Sequence, residues 1–354
     1  MWKIDKIINI IDELYEKSNL PDEKLVFLLE KLDDKSRDYL INKAYQVRKK
    51  NYGDTVYFRG LIEISNICKW NCQYCGIQSS NKKVERYRLN EKEILDSCHK
   101  GYLLGYRTFV LQGGEDSYFT DDILESIIVK LKEKYEDIAV TLSLGERGYD
   151  SFKRLYNAGA DRYLLRHETI NEDLYKKLHP KMELKNRVKS LENLKEIGYQ
   201  VGSGFLIGLP GLEMKDYAKD LIFLKKLEPH MVGIGPFIPH KDTSLKDEKG
   251  GTAYDTITLL AIIRLLLPDV LLPATTALGT IDPQGREKGF RAGANVIMPN
   301  LSPYECRSKY TLYDGKKFSN NESAEEKEKI IKSVIEAGFK PILTRGDNIK
   351  WKRK

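Results

Sequence analysis

Cys68, Cys72 and Cys75 share one short run, with three and then two residues between them (C-x3-C-x2-C). Thiolates are soft ligands that suit zinc or iron–sulfur clusters. Three of them can hold three irons of a 4Fe–4S cube and leave the fourth iron open. An open iron can bind a small molecule through amino and carboxylate groups and pass it one electron. Zinc is the alternative, but a structural zinc takes four protein ligands. The nearest further donors, Cys98 and His99, stand in an expected helix. The ligand count therefore favours one 4Fe–4S cluster. Cys98 and Cys306 read as plain structural thiols, because five cysteines with three in one motif make no disulfide framework. Thiolates that must stay free fit a reducing compartment, so a cytoplasmic location is expected.

Such a loop needs a rigid frame. From about residue 55, strand-like runs alternate with helical ones. The strand candidates are Val56–Ile64, Thr108–Gln112, Ala139–Leu144, Arg162–Arg166, Val201–Ile207, Met231–Phe237, Val270–Ala274 and Asn295–Met298. Helical patterns lie between them, as in Glu91–Leu104, Asp121–Lys134, Leu184–Ile197, Met214–Lys226 and Ala253–Leu266. Eight βα units predict an α/β fold, a closed (β/α)8 TIM-type barrel. Residues 1–52 carry apolar positions at helical spacing (Ile7, Ile8, Ile11, Leu14, then Leu25, Leu28, Leu29) and read as a helical extension. The barrel is expected over 53–315 and a helical tail packed on it over 316–354. Ser323 with Glu326 suggests a capping box opening a last helix over Ser323–Ala337.

The chain has 354 residues and a net charge of +7. That length suits one barrel of ~250 residues with extensions. Charge is scattered apart from Lys350, Lys352, Arg353 and Lys354, which read as a solvated terminus rather than a nucleic-acid arm. No signal peptide is expected, because Lys3, Asp5 and Lys6 stand where an apolar segment should form. The most apolar run, Ile257 to Leu267, is short and interrupted by Arg264, so no membrane span is expected.

In such barrels chemistry sits where strands end and βα loops begin. The cysteines follow the first strand. The second runs into Gln112, Gly113, Gly114 and Glu115, where glycines admit a ligand to the backbone and the carboxylate can bind an ammonium group; a tight turn is the plainer reading. The fourth ends in Arg166, His167 and Glu168, whose charges at a barrel mouth need a ligand or each other. Thr275 and Thr276 follow the seventh and can simply cap a turn. Tyr304, Tyr310 and Tyr313 can be core aromatics, His240 a solvated loop residue and Arg187 a surface charge. The glycines from Gly202 to Gly211 have the wrong spacing for a dinucleotide fingerprint, so NAD is rejected.

The cysteine spacing, with Tyr74 before the last cysteine, resembles the signature of radical S-adenosylmethionine (radical SAM) enzymes. Longer stretches are more specific: Val110–Asp116, Val140–Glu146, Ala158–Thr169, Met231–His240, Pro273–Ala277 and Gly293–Asn300. Together they resemble the HydE family of FeFe-hydrogenase maturases, within the biotin synthase-like group, over roughly residues 40 to 315.

This resemblance implies that Cys68, Cys72 and Cys75 ligate the cluster. It places S-adenosylmethionine against Gly113, Gly114, Glu115, Ser143, Glu168 and Arg187, with Tyr74 near the adenine. The substrate, a sulfur-containing, cysteine-bound iron carbonyl cyanide species, would sit deeper, near Gln112, Thr141, Arg166, Thr275, Thr276 and Tyr310. Partner maturases and an electron donor are implied as well. Some relatives carry an accessory cluster on three cysteines near the C-terminal end. The stretch from Tyr313 to Glu326 has none, so one cluster is expected. Two other readings stand beside this one. Another radical SAM reaction on a small molecule, of methylornithine synthase or biotin synthase type, would look similar. A zinc or iron–sulfur regulatory protein would share the cysteines without turnover. A tRNA-modifying role is disfavoured by diffuse charge and no appended RNA-binding domain.

Overall fold

Thr55 to Ser65 forms two consecutive strands, β1 (Thr55–Phe58) and β2 (Gly60–Ser65), broken at Arg59. The break lets one chain segment serve two sheets in this computed structural model, which describes residues 2–316 and 326–354. β2 leads a parallel sheet through β3 (Thr108–Gly113), β4 (Ala139–Ser143), β5 (Arg162–Leu164) and β6 (Gln200–Ser203). β7 (Leu206–Ile207) prolongs β6 beyond a bend, and the sheet continues to β8 (Met231–Val232). β9 (Gly235–Pro236) pairs with β7. β10 (Val296–Ile297) lies beside β1.

The ring closes through bridges. Met231 pairs with Leu271, Pro273 with Val296, and Leu61 with Asn300, all parallel. Tyr57, Arg59 and Leu61 donate their N–H groups to the carbonyls of Asn295, Ile297 and Pro299. The result is the (β/α)8 barrel. Two differences from the expected strands have local causes. The sixth and fifth strands split at Gly233 and Gly204. Gly204 has φ +150, and a Cβ there would fall 2.0 Å from the Gly233 carbonyl oxygen. The seventh segment joins only by bridges, because Pro273 has no N–H for a ladder.

Three helices, Trp2–Lys17, Asp22–Lys31 and Asp34–Tyr52, precede the barrel. Asp34–Tyr52 packs on Ala253–Leu266 and is pinned by buried Arg48, which donates to the carbonyls of Ala294 (2.9 Å), Gly53 (2.6 Å) and Thr55 (2.7 Å). After the barrel comes the helix Lys327–Glu336, then β11 (Lys340–Ile342) on the outer side of β1. The proposed cap at Ser323 lies outside the described residues.

The basic tail is docked on the barrel, although Lys350, Lys352, Arg353 and Lys354 themselves stay exposed. Residues 343–354 run across the lower mouth of the barrel, where strands begin. Asp347 pairs with Arg162 (2.6 Å), Lys350 with Asp269 (3.0 Å) and Arg353 with Asp161 (3.1 Å), while Trp351 Nε1 donates to the Gly198 carbonyl (2.9 Å). Among the described residues, no helix is long and apolar enough to cross a membrane.

Candidate active site

The loop after β2 carries the three thiols, all half-buried, at the upper mouth where parallel strands end. It is anchored from both sides. Lys69 N–H donates to the Glu115 carbonyl (3.1 Å), and Gly76 N–H to that of Leu312 (2.9 Å). Gly114 presses against the loop: a Cβ there would fall 2.3 Å from the Ile67 carbonyl oxygen and 2.7 Å from Cys68 Cβ. Any larger residue would push the first cysteine aside.

The thiols feel one another. Burial raises the pKa of each. The neighbouring thiols add to the rise at Cys72, and Cys75 is pushed up to about 12. Opposing this, backbone N–H groups of Trp70 and Glu115 face Cys68, and that of Ile77 faces Cys75. Donors aimed at sulfur favour thiolate, the form that ligates metal. Among the described residues, no three His, Cys, Asp or Glu side chains close around a single metal ion. Three thiolates in one loop, with no fourth protein donor beside them in sequence, are the soft donor set of an iron–sulfur cluster with one open iron. The donor set fits a 4Fe–4S cluster.

Glu168 stands beside this loop, within electrostatic reach of Cys72, Tyr74 and Cys75. It is buried and left-handed at φ +66. Its Oε1 pairs with Arg166 Nε at 3.2 Å, while Oε2 is buried without a partner. A strained residue carrying a buried unmatched oxygen marks a place where a ligand belongs. Arg187 is the buried prop for this strand end: its Nε meets Glu146 Oε1 (2.6 Å) and its Nη1 donates to the Arg166 carbonyl (2.6 Å). It is therefore no surface charge.

Glu115 is committed within the protein. Its carboxylate accepts from Trp70 Nε1 (2.6 Å) and the Glu146 N–H (3.0 Å), and Lys69 Nζ lies 3.3 Å away. Tyr74 Oη lies 2.9 Å from His179 Nε2. Burial, then Arg187, depresses the His179 pKa to about 3, so the ring is neutral. With Nδ1–H donated to the Tyr175 carbonyl (3.0 Å), Nε2 is left to accept from Tyr74.

The lumen lies below. Register places Glu63, Gln112 and Ser143 side by side on β2, β3 and β4, with Thr141 two residues beneath Ser143. Side chains of such a layer point the same way. Thr141 Oγ1 is buried without a partner. Gln112 Nε2 donates to Tyr310 Oη at 3.4 Å, and Tyr310 lies within electrostatic reach of Cys68 and Cys75. Thr275 caps the short helix Thr276–Ile281, accepting from Leu278 N–H at 3.3 Å, and Thr276 opens that helix. Thr275 therefore has a local structural task.

In sequence alone, Glu63, Lys316 and His179 carry no assigned role, and Glu146 stands only as a residue beyond the third strand. Glu63 is buried and held by Lys316 Nζ (2.5 Å) and Asn300 Nδ2 (2.9 Å). A lone acid in the apolar run Leu61–Ile64 was the available signal. Glu146 had its place after a strand end as a signal; Lys316 and His179 had none.

The chain is 48% identical over 277 residues to the "[FeFe] hydrogenase maturase subunit HydE" of Thermotoga maritima, covering 78% of this chain and 79% of that one. It belongs to the HydE family. The Radical SAM superfamily profile matches residues 62–224 of this HydE-family chain, which is a radical SAM enzyme. Membership implies a 4Fe–4S cluster and S-adenosylmethionine. The 3-methylornithine synthase of Methanosarcina acetivorans is 28% identical over 328 residues, 92% of this chain and 90% of that one. Two solved structures share the fold: methylornithine synthase (PylB), at TM-score 0.82 and 24% identity over 94% of this chain and 97% of that one, and the FeFe-hydrogenase maturase HydG from Carboxydothermus hydrogenoformans, at 0.81 and 23% over 96% and 80%.

Proposed function

We propose that this HydE-family enzyme serves in assembly of the FeFe-hydrogenase active site, acting on a sulfur-containing, cysteine-bound iron carbonyl cyanide species held in its lumen. The 48% identity to HydE over most of the chain carries the reading. Cys68, Cys72 and Cys75 would hold one 4Fe–4S cluster, and no accessory cluster is proposed, because the stretch from Tyr313 to Glu326 has no cysteine. A cluster held there would supply the electron for reductive cleavage of the S-adenosylmethionine sulfonium to methionine and a 5′-deoxyadenosyl radical.

The remaining roles belong to the chain. Glu168 offers its unmatched Oε2 to a donor group of S-adenosylmethionine. Gly113, Gly114, Glu115 and Ser143 line the methionine end, the glycines by letting it reach the backbone. Arg187 holds Glu146 and the Arg166 carbonyl in place around it. Tyr74, oriented by neutral His179, borders the adenine. Arg166 supplies counter-charge to an anionic metal complex. Gln112, Thr141, Thr275, Thr276 and Tyr310 provide polar contacts to it, and the closed barrel wall keeps water away from the radical. An external one-electron donor and partner maturases complete the system.

The test is anaerobic reconstitution followed by hydrogenase maturation with partner maturases. Arg166→Ala is expected to keep iron content and S-adenosylmethionine binding but to lose maturation. Normal maturation by that variant would remove Arg166 from the substrate site.

A further inference from the structure

His167, Asp220 and Ser203 form a cluster that no step above uses, and each is 0% exposed. His167 Nδ1 lies 2.9 Å from Ser203 Oγ, and Nε2 lies 3.3 Å from Asp220 Oδ1. The residue types are those of a hydrolytic triad. Hydrolysis is excluded here: the hydroxyl is sealed inside the barrel wall, and the serine faces Nδ1 rather than Nε2. The imidazole is further walled by Phe223, ring centroids 4.8 Å apart.

The cluster lies directly behind Glu168. Ser203, at the end of β6, holds the residue before it. Asp220, on the helix Met214–Leu227, accepts the Ile170 N–H at 2.7 Å and so holds the segment two residues after it. Between these clamps, Glu168 donates its N–H to the Gly204 carbonyl (3.0 Å) and accepts from Leu206 N–H (3.1 Å). A non-glycine residue at φ +66 persists only when its surroundings over-determine it. A buried aspartate against a buried histidine is costly unless it has a structural task.

We propose that His167, Asp220 and Ser203 are positioning residues that hold Glu168 left-handed, so that its unmatched carboxylate oxygen faces S-adenosylmethionine. This rests on the reading that Glu168 contacts S-adenosylmethionine. The experiment is calorimetric binding of S-adenosylmethionine to anaerobically reconstituted, cluster-loaded protein, with iron content measured in parallel. Glu168→Gln and Asp220→Ala should each weaken binding about tenfold with iron unchanged. Asp220→Asn should recover most of the affinity, because its amide oxygen still accepts from Ile170. The double variant Asp220→Ala, Glu168→Gln should bind no worse than Glu168→Gln alone, because Asp220 acts through Glu168. Unchanged affinity in Asp220→Ala, or losses that multiply in the double variant, overturns the positioning role. If Glu168→Gln itself binds normally, the contact assigned to Glu168 falls, and this inference with it. Should Asp220→Ala fail to fold, Ser203→Ala, a one-hydroxyl change, takes its place in the same cycle.

Discussion

At the lower mouth of the barrel the Asp161 carboxylate meets Lys132 (2.7 Å), Arg345 (3.1 Å) and Arg353 (3.1 Å) at once, and fully buried Arg162 is matched by Asp347 and the Arg345 carbonyl. At the upper mouth Glu168 has one ionic partner and an oxygen with none, and Thr141 holds a buried hydroxyl with none. Both ends bury polar groups; the lower end pairs its charges within the chain, with Arg162 Nε left over, whereas the upper end leaves a carboxylate oxygen unmatched. Burying an unmatched polar group costs about 1–3 kcal/mol, which a ligand at the upper end would recover. The lumen between them is mixed: Arg59 has Nη1 3.1 Å from Met231 Sδ, while Nε and Nη2 lack partners.

This contrast can be broken most severely at the thiols. Cys72→Ala should lower 5′-deoxyadenosine formation under dithionite to background, with iron and sulfide lost together, while the fold melts near the parent temperature. A melting point that collapses would mean that the loop is a structural metal site instead.

The lower mouth answers with stability. Asp347→Ala removes the direct ion-pair partner of the buried Arg162 guanidinium and should cost about 3 kcal/mol in urea unfolding. Burial opposes charge on Asp347, but Arg162 and Arg345 outweigh it and hold its carboxyl below the ordinary 3.8. A depressed carboxyl gives its full stabilisation above its unfolded pKa and loses it as pH falls through the folded one. The gap between parent and variant should therefore be constant near neutrality and shrink as pH drops below 3.8. A gap that widens in acid would reverse the assignment.

Replacing Arg187 by Lys keeps the charge but loses the fork that spans Glu146 and the Arg166 carbonyl. S-adenosylmethionine binding should weaken about tenfold, ~1.4 kcal/mol, with little change in melting temperature. Equal affinity would show that this prop is dispensable.

The smallest effects make the sharpest comparison, since two threonines on adjacent strands should respond with opposite signs. Thr108 Oγ1 donates to the Arg345 carbonyl (2.8 Å) and accepts from Arg162 (3.2 Å), so Thr108→Val should destabilise by about 1 kcal/mol. Thr141→Val removes an unmatched hydroxyl and should leave unliganded protein as stable or about 1 kcal/mol more so, while lowering maturation. Matching signs would mean that the Thr141 hydroxyl is already satisfied in the unliganded protein.

Legibility in the sequence divides along the same line. The cysteine loop could be read because its donors are neighbours in the chain, and the barrel because each βα unit repeats its own periodicity. Arg166 and Glu168 could be placed at a mouth because they end a strand. Arg187 could not be told from a surface charge, since its partners Glu146 and the Arg166 carbonyl come from separate loops. The basic tail suggested solvent for the same reason: nothing near Arg353 in sequence announces Asp161.

Sequence alone determined the donor set, the repeat that builds the barrel and the family, because these depend on residue types at short spacing. Tertiary structure decided which charges are matched and which wait for a ligand. It also decided that the C-terminal segment seals the lower mouth, and that His167, Asp220 and Ser203 stand behind Glu168. Electrostatic satisfaction depends on distances between side chains far apart along the chain, and only folding sets those distances.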